Sequence, residues 1–118
     1  MIVSRLIGLA LNDVGVSDPR PEQYQNALDH LNMIISNFTY WKPEDQPIDR
    51  LAALTDTIQL PTYYLEIFEL LLAAREAITY GLPANAISLL EQKADQLTKH
   101  MTYRRVQNQG IGPSGMVI

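Results

Sequence analysis

The chain has 118 residues, 47% of them hydrophobic, with 9 Lys and Arg against 13 Asp and Glu for a formal net charge of -4, and it has no cysteine. A chain of this size forms one domain that buries roughly 65% of its unfolded surface, and the apolar fraction excludes disorder throughout. The missing cysteine excludes a disulfide scaffold, a thiolate zinc site, an iron–sulfur cluster and a cysteine nucleophile, and the acidic balance argues against non-specific coating of nucleic acid.

The first apolar run, Met1 to Val14, is interrupted by Asn12 and Asp13 well short of a membrane span, and no other segment approaches 18 consecutive apolar residues. A soluble protein is expected. Ile2, Leu6, Leu9, Ala10 and Val14 form one stripe of a first helix, and Gly15 stands where a left-handed residue would end it. Pro21 suits a first helical position and Glu22 suits the dipole of a second helix. In that helix Tyr24, Ala27, Leu28, Leu31, Ile34, Ile35, Phe38 and Trp41 recur at three- and four-residue steps. Pro43 and Pro47 stop it and open a polar connection over residues 42–61, structured enough to include a short strand or an extended arm between Leu54 and Leu60.

The third helix is expected from Thr62 to Tyr80, apolar around most of its circumference and therefore central. Gly81, Leu82 and Pro83 turn it into a tight antiparallel hairpin with a fourth helix, whose face is Ala86, Leu89, Leu90, Ala94, Leu97 and Met101. Running to Gln107, that helix reaches about 36 Å and outruns the first. Residues 110–118, with three glycines and a proline before Met116, Val117 and Ile118, read as a tail that orders on a partner. The expected fold is all-α, a four-helix bundle-like domain over residues 1–109 followed by this extension.

No catalytic or metal-binding constellation stands out. His30 and His100 lie on different helices, without the i+4 partner that helical metal sites use, and read as ordinary helix-surface residues. Glu44, Asp45, Asp49 and Asp56 cluster in the connection, where solvation keeps carboxylates ionised rather than tuned for acid–base work. Glu66, Glu69 and Glu76 are expected to form ion pairs at the edges of their helix or across a subunit boundary, with Arg75 and Arg50 as candidate partners. The run Gly110 to Gly115 lacks the strand, helix and lysine of a phosphate-binding loop. Charge is more informative: residues before Lys93 contain 5 Lys and Arg against 12 Asp and Glu, and those from Lys93 onward 4 against 1. Lys93, Lys99, His100, Arg104 and Arg105 thus give an acidic molecule one basic end, which suits an acidic partner surface, a DNA-lined passage or head-to-tail self-association, or is simply a solvated helix terminus. Tyr40, Trp41, Tyr63, Tyr64 and Tyr80 sit at helix ends, as lids on the core or as anchors of an assembly interface.

The opening helix ending LALNDVGV, the second helix ALDHLNMIISNFTYW closing on Trp41, the step at Leu60 and Pro61 before a tyrosine-led helix, and the ending LLLAAREAITYG together resemble the small head-to-tail adaptor family of tailed phages, the tail accessory or packaged-DNA stabilisation proteins. The resemblance covers residues 2 to about 105. It implies a structural, non-enzymatic virion protein without cofactor or metal, placed at the head–tail junction. Such a subunit docks beneath the portal protein as a homo-oligomeric ring of twelve, extends the channel through which DNA passes without sequence-specific binding, and receives the nozzle or tail-tube proteins. On this reading Lys99, Arg104, Arg105, Ile111, Met116, Val117 and Ile118 contact the portal, while Trp41, Leu54, Ile58, Tyr63 and Tyr64 serve a subunit or tail interface. The cell-wall hydrolase activity attributed to some members is not carried over, since no carboxylate pair stands out. The main alternative is a small helical nucleic-acid-binding or regulatory module using the basic end of the fourth helix. A muramidase ranks third.

Overall fold

Four helices order the chain in the computed structural model, which describes residues 1–108 and their side chains through Met101. They are α1 (Val3–Asp13), α2 (Pro21–Asn37), α3 (Thr62–Thr79) and α4 (Ala84–Asn108). The all-α expectation holds. The extension at 110–118 lies outside the described residues.

The punctuation residues act as their chemistry dictates. Gly15 ends α1 at φ +90° and Gly81 ends α3 at φ +70°, backbone conformations that cost an L side chain strain. Behind each, an amide three residues past the helix folds back onto the last turn: Val16 N–H donates to the Leu11 carbonyl at 2.9 Å and Leu82 N–H to the Ala77 carbonyl at 2.9 Å. Pro21 opens α2, and the Arg20 amide is satisfied by Gln23 Oε1 at 2.8 Å.

Two boundaries and two faces differ from expectation. α2 ends at Asn37, four residues before Trp41, because Phe38 adopts an extended conformation (φ -73°, ψ 129°) that turns its ring onto α3. In α1 the inward residues are Val3, Leu6, Ile7, Ala10 and Leu11, with Val14 just beyond the helix, whereas Ile2 and Leu9 face outward. The face of α4 is likewise rotated. Its seam is Ile87, Leu90, Ala94, Leu97 and Met101, alternating three- and four-residue steps as in a coiled coil, and Leu89 is 53% exposed.

The 42–61 connection is structured, but the short strand expected there is absent among the described residues: one antiparallel bridge, Ile2 with Thr57, takes its place. Asn32 of α2 clamps the segment by donating from Nδ2 to the Leu51 carbonyl (2.9 Å) and accepting from the Leu51 amide at Oδ1 (2.7 Å). The Asp56 carboxylate accepts the amides of Ala52 and Ala53. The segment then closes the open start of α1, where no side chain caps: Val3 N–H donates to the Asp56 carbonyl and Ser4 N–H to that of Leu54.

α3 is the central helix and packs against each of the other three, which bury Tyr64, Ile67, Phe68, Leu72, Ala73 and Ala77 along it. α1 and α2 also meet each other, so α1, α2 and α3 enclose the main core. α4 packs on α3, without close backbone approach to α1 or α2 among the described residues. The space between α2 and α4 therefore stays open over α3.

Candidate partner-binding groove

That opening is a groove of about 980 Å³. One wall is the last turns of α2 and the residues after it, from Met33 and Ile34 to Phe38 and Tyr40; the floor is Leu71 and Arg75 of α3; the other wall is Glu91, Asp95, Thr98 and Lys99 of α4. Met33 is 46% exposed and Tyr40 50%, large apolar surfaces that a closed bundle would have buried. Lys99 Nζ lies 3.0 Å from Asp95 Oδ2, whereas Arg75 and Glu91 form no ion pair among the described residues. The charges along the groove, two of each sign, set no net electrostatic demand. What such a surface does best is hold an uncharged, apolar segment.

An aromatic cluster fixes the position of the α2 wall. The Phe38 ring centroid lies 5.0 Å from Phe68 and 5.2 Å from Trp41, both edge-on, and Trp41 lies 5.0 Å from Tyr64. Polar groups pin its far side. The Tyr63 and Tyr64 hydroxyls both donate to Asp45 Oδ2, at 2.8 and 2.9 Å, the Lys42 amide donates to the Tyr64 hydroxyl at 2.7 Å, and the Lys42 ammonium lies 4.3 Å from the Tyr63 ring centre. Burial first, then the hydrogen bond and charge of Asp45, push the Tyr63 phenol up to about 12; burial also takes Tyr64 to about 12, with the Lys42 amide pulling it down and Asp45 raising it.

Two carboxylates on α3 are handled differently. Glu76, 1% exposed, has Oε2 at 2.7 Å from Nδ1 of half-buried His30. Glu69 is raised to about 7, chiefly by burial, with further contributions from a hydrogen bond to Asp13, the charge of Asp13 and that of Glu66. Neither glutamate meets Arg75 or Arg50, as the charge pattern had implied, and His30 is a buried carboxylate's partner rather than a surface residue. No cluster of three or more His, Asp or Glu able to hold a metal occurs among the described residues.

The structure sorts the interface residues read from sequence. Tyr64 and Ile58 belong to the core, at 0% and 3% exposed, which leaves them no surface for a subunit. Trp41, Leu54 and Tyr63 are half-buried against that core. Lys99 is exposed on the groove wall. The side chains of Arg104 and Arg105, and all of Ile111, Met116, Val117 and Ile118, lie outside the described residues. The groove itself was not read from sequence, although the polar run Glu91, Asp95, Lys99 beside an apolar α2 end is its signature. No helix among the described residues is long and apolar enough to cross a membrane. Comparison with protein-family models, with curated proteins and with solved structures finds no match.

Proposed function

We propose that the chain is a structural assembly protein, a head-to-tail adaptor of a tailed phage that docks on the portal as a ring of twelve, extends the DNA channel and carries the tail proteins. The observation that carries this reading is the position of α4, a 25-residue helix held by α3, with an apolar groove beside it and a basic end beyond it. A subunit built this way offers partners both a groove and a projecting helix, whereas a self-contained domain would close its fourth helix onto the first two. The order of segments that resembles the adaptor family supports the finer assignment. Lys99, Arg104, Arg105 and residues 111–118 are the proposed portal contacts; Trp41, Leu54 and Tyr63 remain for subunit or tail contacts.

Native mass spectrometry of the chain, alone and mixed with the portal ring from the same source, tests the proposal. About twelve added copies per portal ring are expected, as matching of a cyclic assembly requires. A chain that ignores the portal at every ratio overturns the adaptor reading.

A further inference from the structure

We propose that copies of the chain associate head to tail, with the outer face of α1 of one copy seated in the groove between α2 and α4 of the next. Four of the seven large apolar side chains exposed among the described residues stand on these two surfaces, Ile2 and Leu9 on α1 and Met33 and Tyr40 in the groove. The two are built as ridge and trough. Ile2, Arg5 and Leu9 follow one another at i, i+3 and i+7, the spacing by which one helix lies in a groove between others, and the small residues Ser4 and Gly8 flank them. From Ile2 to Leu9 the ridge is about 10 Å long, and the α4 wall from Glu91 to Lys99 is about 12 Å. Beside the ridge, Pro19, Pro21, Tyr24 and Leu54 continue the apolar surface. Each methylene taken out of water on either side favours the contact.

Charge matches as well. Between Ile2 and Asn12 the only charged side chain is Arg5, with Asp13 at the end of the helix, and the α-ammonium of Met1 is turned to the Ile58 carbonyl at 3.1 Å. Arg5 forms no ion pair among the described residues, and neither do Glu91 and Arg75 of the groove, where Asp95 and Lys99 satisfy each other. Laid with Arg5 on Glu91 and Asp13 towards Arg75, α1 meets an opposite charge at each end. It cannot do so within its own subunit: Val3, Leu6, Ile7, Ala10 and Leu11 hold its inner face in the core, and its outer face adjoins Tyr24, at the other end of α2 from the groove. The two surfaces share no residue, so each copy can engage two neighbours at once, the arrangement that closes into a ring or runs on as a fibre. The inference deepens the ring reading and rests on it for closure, whereas the contact itself requires no portal.

Because the chain has no cysteine, single-cysteine variants of the full chain report the contact by disulfide trapping without background. Leu9→Cys protein is mixed in equal amount with Met33→Cys or Tyr40→Cys protein and oxidised with glutathione disulfide, and intact mass separates the mixed dimer from the two like dimers. Chance pairing makes the mixed dimer twice as abundant as either like dimer; the contact is expected to raise that ratio to about tenfold. Leu89→Cys, exposed on α4 outside the groove lining, should return the chance ratio when it replaces the groove cysteine. Glu91→Arg in the groove partner is expected to lower the excess about fivefold, and Arg5→Glu in the Leu9→Cys partner to restore it. Chance ratios at both groove positions overturn the inference, as does an excess indifferent to the reversed charges. An excess of like dimers through Met33 or Tyr40 also overturns it and assigns the groove to a two-fold contact. Trapping captures transient contacts, so the result does not depend on a ring that is stable alone. A mixed dimer from a chain that ignores the portal keeps this contact and removes the adaptor reading; portal binding with chance ratios does the reverse.

Discussion

His30 Nδ1 lies 2.7 Å from Oε2 of Glu76, and this contact joins α2 to α3 around the one charged side chain buried among the described residues. One proton between the ring nitrogen and the carboxyl oxygen makes the bond. Removing the ring strands the carboxylate away from water, whereas removing both polar groups strands nothing. His30→Ala is expected to cost about 2 kcal/mol in urea unfolding, and Glu76→Gln about 1 kcal/mol because an acceptor remains. The double variant with Leu at both positions should unfold near the wild type. A double variant that loses as much as His30→Ala would mean the ring acts through packing alone.

Asp45 Oδ2 accepts from two adjacent tyrosines, and that sharing gives a titration signature. Both phenols sit at about 12, above the ordinary value of 10. With the folded value raised, the stabilisation from the neutral phenols is complete below pH 10 and is lost as pH rises from 10 through 12. Asp45→Ala leaves the burial but removes the acceptor and its charge. In an absorbance titration of tyrosinate, two tyrosines are therefore expected to move down from about 12. An unchanged alkaline limb would assign the whole shift to burial.

Helix ends were the legible part of this sequence, because Gly15, Gly81, Pro21 and Pro83 each have a backbone requirement that no neighbour overrides. The end of α2 was not. Phe38 and Trp41 continue the helical period, and only the presence of Phe68 and Tyr64 on another helix makes leaving the helix favourable. The same limit hid His30 with Glu76, which are 46 positions apart, and Asp45 with Tyr64, which are 19 apart. Spacing rules report neighbours on one element, and these pairs are made by packing. The groove was concealed for a related reason: the rotation of α4 that exposes Leu89 depends on Ile87 entering the seam.

Glu69 sets a second pH dependence, of the same sign at lower pH. Its folded value of about 7 lies above the ordinary 4.5, so stability is highest below pH 4.5 and falls as pH rises through 7. Solvent reaches this pair and screens it, which reduces the expected loss to about 1 kcal/mol. Glu69→Gln removes the ionisation while keeping the shape. Denaturation at pH 5 and pH 8 should find the variant ahead of wild type at the higher pH by about that amount, with the gap narrowing at the lower. A gap that does not change with pH would locate the effect in packing.

The Asn32 clamp on Leu51 has a consequence far from itself, at the start of α1. The segment it holds supplies the carbonyls of Leu54 and Asp56 that satisfy the first amides of α1, at Ser4 and Val3. Asn32→Ala breaks both clamp bonds and is expected to cost about 2 kcal/mol. Asn32→Asp still accepts from the Leu51 amide but no longer donates, and should fall between. Hydrogen exchange separates a local from a transmitted effect: in Asn32→Ala the Val3, Ser4 and Ile58 amides should exchange faster by more than the global loss accounts for. If only the Leu51 amide quickens, the connection holds α1 without the clamp, through the burial of Leu51 and Ile58.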